Sequence, residues 1–86
     1  LTAREIQARI EAAMPGCRAA VEGGDAHFTA VVVAGDFEGR SRIERHQMIY
    51  ALFRDEMASQ AIHALALRTS TPGERERARQ PSETEI

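Results

Sequence analysis

The sequence predicts a small α+β domain, with one three-stranded sheet and helices on one of its faces. Length is the first reason: 86 residues make at most one domain. If the polar C-terminal stretch adds little, a core drawn from roughly 70 residues suffices for one sheet layer and one helix layer. The second reason is that a Ser/Thr-x-x-Glu helix start occurs at Thr2–Glu5, Ser41–Glu44 and Thr71–Glu74. The third is that alternating or β-branched apolar runs lie between those starts.

Each element follows in order. Thr2 to about Met14 reads as a helix, with Ile6, Ile10, Ala13 and Met14 on one stripe and Pro15-Gly16 as its stop. Cys17 to Glu22 is a strand with Ala19 and Val21 on its apolar face, and Gly23-Gly24-Asp25 reads as the turn after it. His27 to Ala34 is the strongest strand, with Phe28, Ala30 and Val32 on one face and Thr29, Val31 and Val33 on the other. The short Gly-rich link makes the two strands an antiparallel hairpin. Residues 35–40 read as a loop. A helix from Ser41 to about Met57 carries Ile43, His46, Tyr50, Phe53 and Met57 at helical spacing, and Ser59-Gln60 ends it. Ile62 to Ser70 is the third strand. Its two faces are Ile62/Ala64/Ala66 and His63/Leu65/Leu67. Pro72 opens a last short helix through Arg79, and residues 80–86 are expected to be a disordered tail.

Composition excludes several kinds of function. Basic residues number 11, all arginine, against 13 acidic ones, for a net charge of −2. That is not the composition of a polybasic nucleic-acid binder. The single cysteine, Cys17, excludes an internal disulfide, a Cys-x-x-Cys redox pair and a self-contained four-cysteine cluster, and fits a reducing compartment. There is no apolar run of signal-peptide type at the start and none long enough to span a bilayer, so a soluble cytoplasmic protein is expected, without membrane association.

The same poverty limits the chemistry. His27, His46 and His63 stand at no zinc-ligand spacing, and a His-Glu-x-x-His helix is absent. No nucleophile–base–orienter set is visible, so no enzyme is expected and no catalytic residue is named. Ser41 and Thr71 are explained as helix caps, and adjacent acids such as Asp55-Glu56 diverge on a helix. Neither Gly23-Gly24 nor Gly35…Gly39 matches a phosphate loop. The segment Arg40-Ser41-Arg42-Ile43-Glu44-Arg45-His46 is the one basic cluster inside the domain. Its arginines stand at a helix N-terminus, where they form either a solvated face or a contact for phosphate, nucleic acid or an acidic partner.

The chain also resembles a known family. Gly39-x-Ser41-x-x-x-Arg45-His46-x-x-Ile49-Tyr50-x-Leu52 is similar to the central signature of BolA-like proteins. Ile62-His63-Ala64-Leu65 followed by Thr71-Pro72-x-Glu74 is similar to their C-terminal signature, and His27-Phe28 and Asp36-Phe37-x-Gly39 also fit. The match covers residues 3 to about 76, the domain being 1–79, and looks most like the IbaG (YrbA) branch. The resemblance implies a class II KH-like fold, α-β-β-α-(α)-β. It implies a monothiol CGFS glutaredoxin as partner, with a [2Fe–2S] cluster bridged between glutaredoxin cysteine, glutathione and this chain, and no cofactor when the chain is alone. The iron ligand it implies is the histidine of the Val/Ile-His-Ala motif, here His63. The second family ligand is a Cys or His of the hairpin loop. This loop reads Gly23-Gly24-Asp25-Ala26-His27, Cys17 comes too early, and His27 is the natural substitute. His46, on the apolar stripe, is read as packing. Where family members often carry an aromatic after Thr-Pro-x-Glu, Arg75 stands here, which weakens the packing of the last helix.

Two functions are weighed. The first is an adaptor in iron–sulfur cluster trafficking or iron homeostasis, a monomer alone or a weak homodimer. The second is a stress- or morphology-type transcription regulator that binds DNA through Arg40, Arg42 and Arg45. The net charge and the lack of a KH-type Gly-x-x-Gly loop weigh against the second.

Overall fold

The computed structural model describes residues 1–79, so the expected tail at 80–86 lies outside the described residues. Thr2 caps α1 (Ala3–Ala13): its hydroxyl accepts from the Glu5 N–H and the Glu5 carboxylate accepts from the Thr2 N–H. The antiparallel strands β1 (Arg18–Gly24) and β2 (His27–Val33) follow. Residues 35–40 are not all loop, because a 3-10 turn at Gly35–Phe37 drives Phe37 fully into the core. Then come α2 (Arg42–Tyr50), a 3-10 turn (Ala51–Phe53), α3 (Arg54–Ala58), β3 (Ala64–Ser70) and α4 (Pro72–Arg79).

The sheet order is β1-β2-β3. The second pair is parallel, so α2 and α3 form the crossover that such a pair needs. Its inner face presents Phe28, Ala30, Val32 and Leu65. These pack with Ile6 and Ile10 of α1, with Met14 just after it, and with Ile49 and Phe53 from the α2–α3 segment. The outer face stays open among the described residues: Ala20, Thr29, Ala64, Ala66 and Arg68 are exposed, and Val31 and Val33 are half-buried.

Four further sequence expectations are corrected. The turn is not Gly23-Gly24-Asp25. Both glycines remain in β1, Gly24 pairs with His27, and the chain reverses at Asp25-Ala26, with φ of 53° and 67°. Positive φ at both central residues is the geometry that matches the twist of a two-residue hairpin. The Ser41–Met57 helix is interrupted at Phe53, which takes φ −123° and ψ 25°. The Leu52 carbonyl accepts from Arg9, whose guanidinium also lies 5.0 Å from the Phe53 ring centroid. Ile43 is not on the buried stripe; it is 70% exposed. The buried arc of α2 is centred on Ile49, about 240° around the helix from Ile43 at 100° per residue. The two-face reading of the third strand fails at its start: Ile62 is buried while Ala64 and Ala66 are exposed, and His63 is exposed while Leu65 is buried, because Ile62 and His63 precede β3 rather than opening it.

Candidate ligand site at the hairpin end of the sheet

The two histidines singled out from the sequence meet. His27 opens β2 directly after the Asp25-Ala26 turn, and in the register His27 lies opposite Ala64, the residue after His63. The link is made by one carbonyl: Ala26 accepts from the His63 N–H at 2.7 Å and from the Ala64 N–H at 3.1 Å. The hairpin turn therefore ties down the segment that carries His63. The imidazoles stack with centroids 5.2 Å apart and planes 13° from parallel, and both residues are exposed.

The tautomer of His27 follows from its neighbour. Its Nδ1 lies 2.8 Å from the Asp25 carbonyl oxygen. A carbonyl only accepts, so Nδ1 is the donor of this pair, and in the neutral ring the lone pair is on Nε2. This is the arrangement that orients a metal-binding imidazole. Glycine contributes as well: Gly23 has φ +123°, and a Cβ there would collide with the His27 carbonyl.

The arrangement offers at most two neutral imidazole donors. A [2Fe–2S] core takes four protein or thiol ligands, so two imidazoles are too few to hold one alone. Among the described residues no group of three His, Cys, Asp or Glu side chains could hold a metal ion. Cys17 does not join them. It precedes Arg18, which pairs with Val33 at the other end of the sheet, about 20 Å along the strands. Its thiol is half-buried, and burial, then Glu11 and Asp36, push it above the ordinary thiol range. His46 stands apart too, edge-on to Tyr50 at 6.3 Å with its Nε2 buried.

The arginine cluster is split by the fold. Arg40 and Arg42 are exposed beside the α2 start, where Ser41 and Glu44 form their capping box. Arg45 is committed inside the domain. Its guanidinium donates to both Glu74 oxygens at 2.7 and 3.1 Å, its Nε donates to the Arg40 carbonyl at 2.9 Å, and it sits 5.7 Å from the Phe37 ring centroid. Hydrogen bonds from Arg45, then from the Thr71 N–H, bring the Glu74 carboxyl down to about 2, and the Arg45 guanidinium is raised by the same partner. Glu74 is also the capping residue of α4, closing the box with Thr71. The sequence marked Glu74 as a cap, but nothing local in it marks Arg45, 29 positions away, as its partner.

Known proteins resemble this chain in sequence and in fold. A family model described as BolA-like protein matches residues 3–74. The DNA-binding transcriptional regulator BolA of Haemophilus influenzae is 44% identical over 52 residues, covering 60% of this chain and 50% of that protein. The acid stress protein IbaG of Escherichia coli is 32% identical over 70 residues, covering 81% of this chain and 83% of that one. The match thus spans only half the length of the first of these relatives. Among solved structures, a bolA protein homologue from Coxiella burnetii superposes with a TM-score of 0.77 at 40% identity, covering 90% of this chain and 99% of that chain. The BolA domain of SufE1 from Arabidopsis thaliana gives 0.75 at 31% identity, covering 84% and 93%.

Proposed function

This chain belongs to the BolA-like family, and from that premise we propose that it is a non-enzymatic adaptor in iron–sulfur cluster trafficking. On this reading it docks on a monothiol glutaredoxin and lends imidazole to a [2Fe–2S] cluster that the two proteins and glutathione share. The cluster is cargo, not a resident group. The observation that carries the reading is the exposed, stacked His27–His63 pair, with the His27 Nδ1–H held by the Asp25 carbonyl. A relative that carries a BolA domain within a protein named SufE1 supports the same direction. Ligation by neutral imidazole makes the shared site sensitive to protons and easier to give up than one closed by thiolate alone.

The test is spectroscopic. Adding the protein to a cluster-loaded monothiol glutaredoxin should change the visible absorption and circular dichroism of the cluster, and His63→Ala should abolish the change. His27→Ala should weaken it. Identical spectra for wild type and His63→Ala mixtures would mean that histidine does not ligate.

A second reading, nucleic-acid binding, is favoured by one specific observation: Arg40 and Arg42 remain exposed at the start of α2, and one relative is named a DNA-binding transcriptional regulator. Binding to a promoter fragment should then fall with salt and be lost in Arg40→Ala/Arg42→Ala. No binding at low salt ends that reading.

A further inference from the structure

We propose that the open face of the sheet carries a second docking site, a groove that takes an acidic segment with an apolar centre from a protein partner. The groove lies between this face and the first turns of α4 and has a volume of about 510 Å³. Its floor is aliphatic. Val31 and Val33 project from β2 on the face that α1, α2 and α3 leave uncovered, and Pro72 closes one side. β-Branched valines left half-buried on an open sheet face are unspent apolar surface.

Charge supplies the occupant's chemistry. Arg18 on β1 stands opposite Val33, and Arg68 on β3 stands opposite Val31. Arg75 of α4 lines the groove from above. Two guanidiniums, Arg18 and Arg75, therefore line the groove with the two valines, Arg68 stands beside it in the sheet, and among the described residues none of the three forms an ion pair, whereas Arg9 and Arg45 do. Among the described residues one carboxylate, Glu76, also lines the groove. On a chain of net charge −2 this is a local excess of positive charge. Guanidinium forks recognise carboxylates in pairs, and the valines between them ask for one or two aliphatic side chains.

A nucleic acid suits the groove less well. Single strands bind by stacking bases on aromatic rings, and among the described residues no aromatic lines this groove. Val33 and His27 lie at opposite ends of β2, about 20 Å apart. An occupant of the groove therefore leaves the histidine pair free, and the two sites can be tested separately.

The probes are three short fluorescein-labelled peptides. One alternates Asp and Glu with Leu and Val, one has its acids replaced by lysine, and one has its Leu and Val replaced by serine. Fluorescence anisotropy against the whole chain should show the first binding at least about tenfold more tightly than the other two. Arg18→Glu/Arg75→Glu should weaken it by about tenfold or more. The Val31 and Val33 methyl resonances should move on titration with the first peptide only. Arg42→Glu and His63→Ala should leave peptide binding unchanged, so a failure of the cluster reading does not touch this one. The proposal is overturned by equal binding of all three peptides. It is equally overturned if Arg18→Glu/Arg75→Glu, with an unaltered melting curve, binds as wild type does. Single-stranded DNA that binds where the acidic peptide does not, and that the same double substitution releases, would assign the groove to nucleic acid instead.

Discussion

At the scale of single residues, the Arg45–Glu74 pair shows how a surface-looking arginine becomes part of the frame. The pair joins α2 to α4 with two parallel hydrogen bonds, and Glu74 simultaneously caps α4. Glu74 has its folded carboxyl lowered to about 2 from an ordinary 4.5. A lowered carboxyl contributes stability above its unfolded value and loses that contribution as pH falls through the folded one. Glu74→Gln should therefore lower the melting temperature at neutral pH, and the difference from wild type should shrink between about 4.5 and about 2. A difference that stayed constant across that window would mean the charge does not matter. Arg45→Ala should destabilise at neutral pH as well, so any loss of DNA binding in that variant says little about contact with DNA.

At the scale of elements, the hairpin turn sets the histidine site. Ala26 sits at φ +67°, a conformation that costs an L-residue with a Cβ about 1–2 kcal/mol. Ala26→Gly should stabilise the domain by about 0.5–1 kcal/mol in urea unfolding, since glycine relieves that strain but gives back chain entropy. Gly23→Ala should do the opposite and more strongly, because its Cβ would push on the His27 carbonyl. The cap at α2 is independent of both. Ser41→Ala should cost about 1 kcal/mol, measured the same way. Much of this scale was legible in the sequence: the three capping boxes and the apolar alternation of β2 are local patterns that local backbone chemistry obeys. The Asp25-Ala26 turn was not, because two glycines beside it look like the better turn. Strand register decided otherwise by pairing Gly24 with His27. The break at Phe53 was illegible for a similar reason. An uninterrupted stripe continues past it, and the group that meets the freed Leu52 carbonyl, Arg9, lies 43 positions away in another helix.

At the scale of the whole molecule, a single small core must carry everything. Phe37, Phe53, Ile6, Ile10, Ile49 and Ile62 are its largest fully buried side chains. Domains of this size have little stability in reserve, commonly about 5–15 kcal/mol or less. Phe53→Ala removes about 3–5 kcal/mol and should leave a large unfolded fraction at room temperature, seen as a shallow or absent transition in urea. Ile43→Ala, by contrast, should change stability by under about 0.5 kcal/mol, because Ile43 is exposed. The two substitutions together separate the buried arc of the α2–α3 segment from the arc that periodicity alone suggests.

The sequence by itself determined the fold class, the order of the elements, the caps that start the helices and the candidate residues His63 and His27. These rest on short-range patterns and on a family likeness spread along the chain. The tertiary structure alone decided which residues meet. It brought His27 against His63 through one shared carbonyl, drew Arg45 away from Arg40 and Arg42 into the frame, and left Val31 and Val33 uncovered among arginines. The physical reason is the parallel pairing of β2 with β3. That long-range register is set by burying one sheet face under the helices, and no local pattern in the chain encodes it.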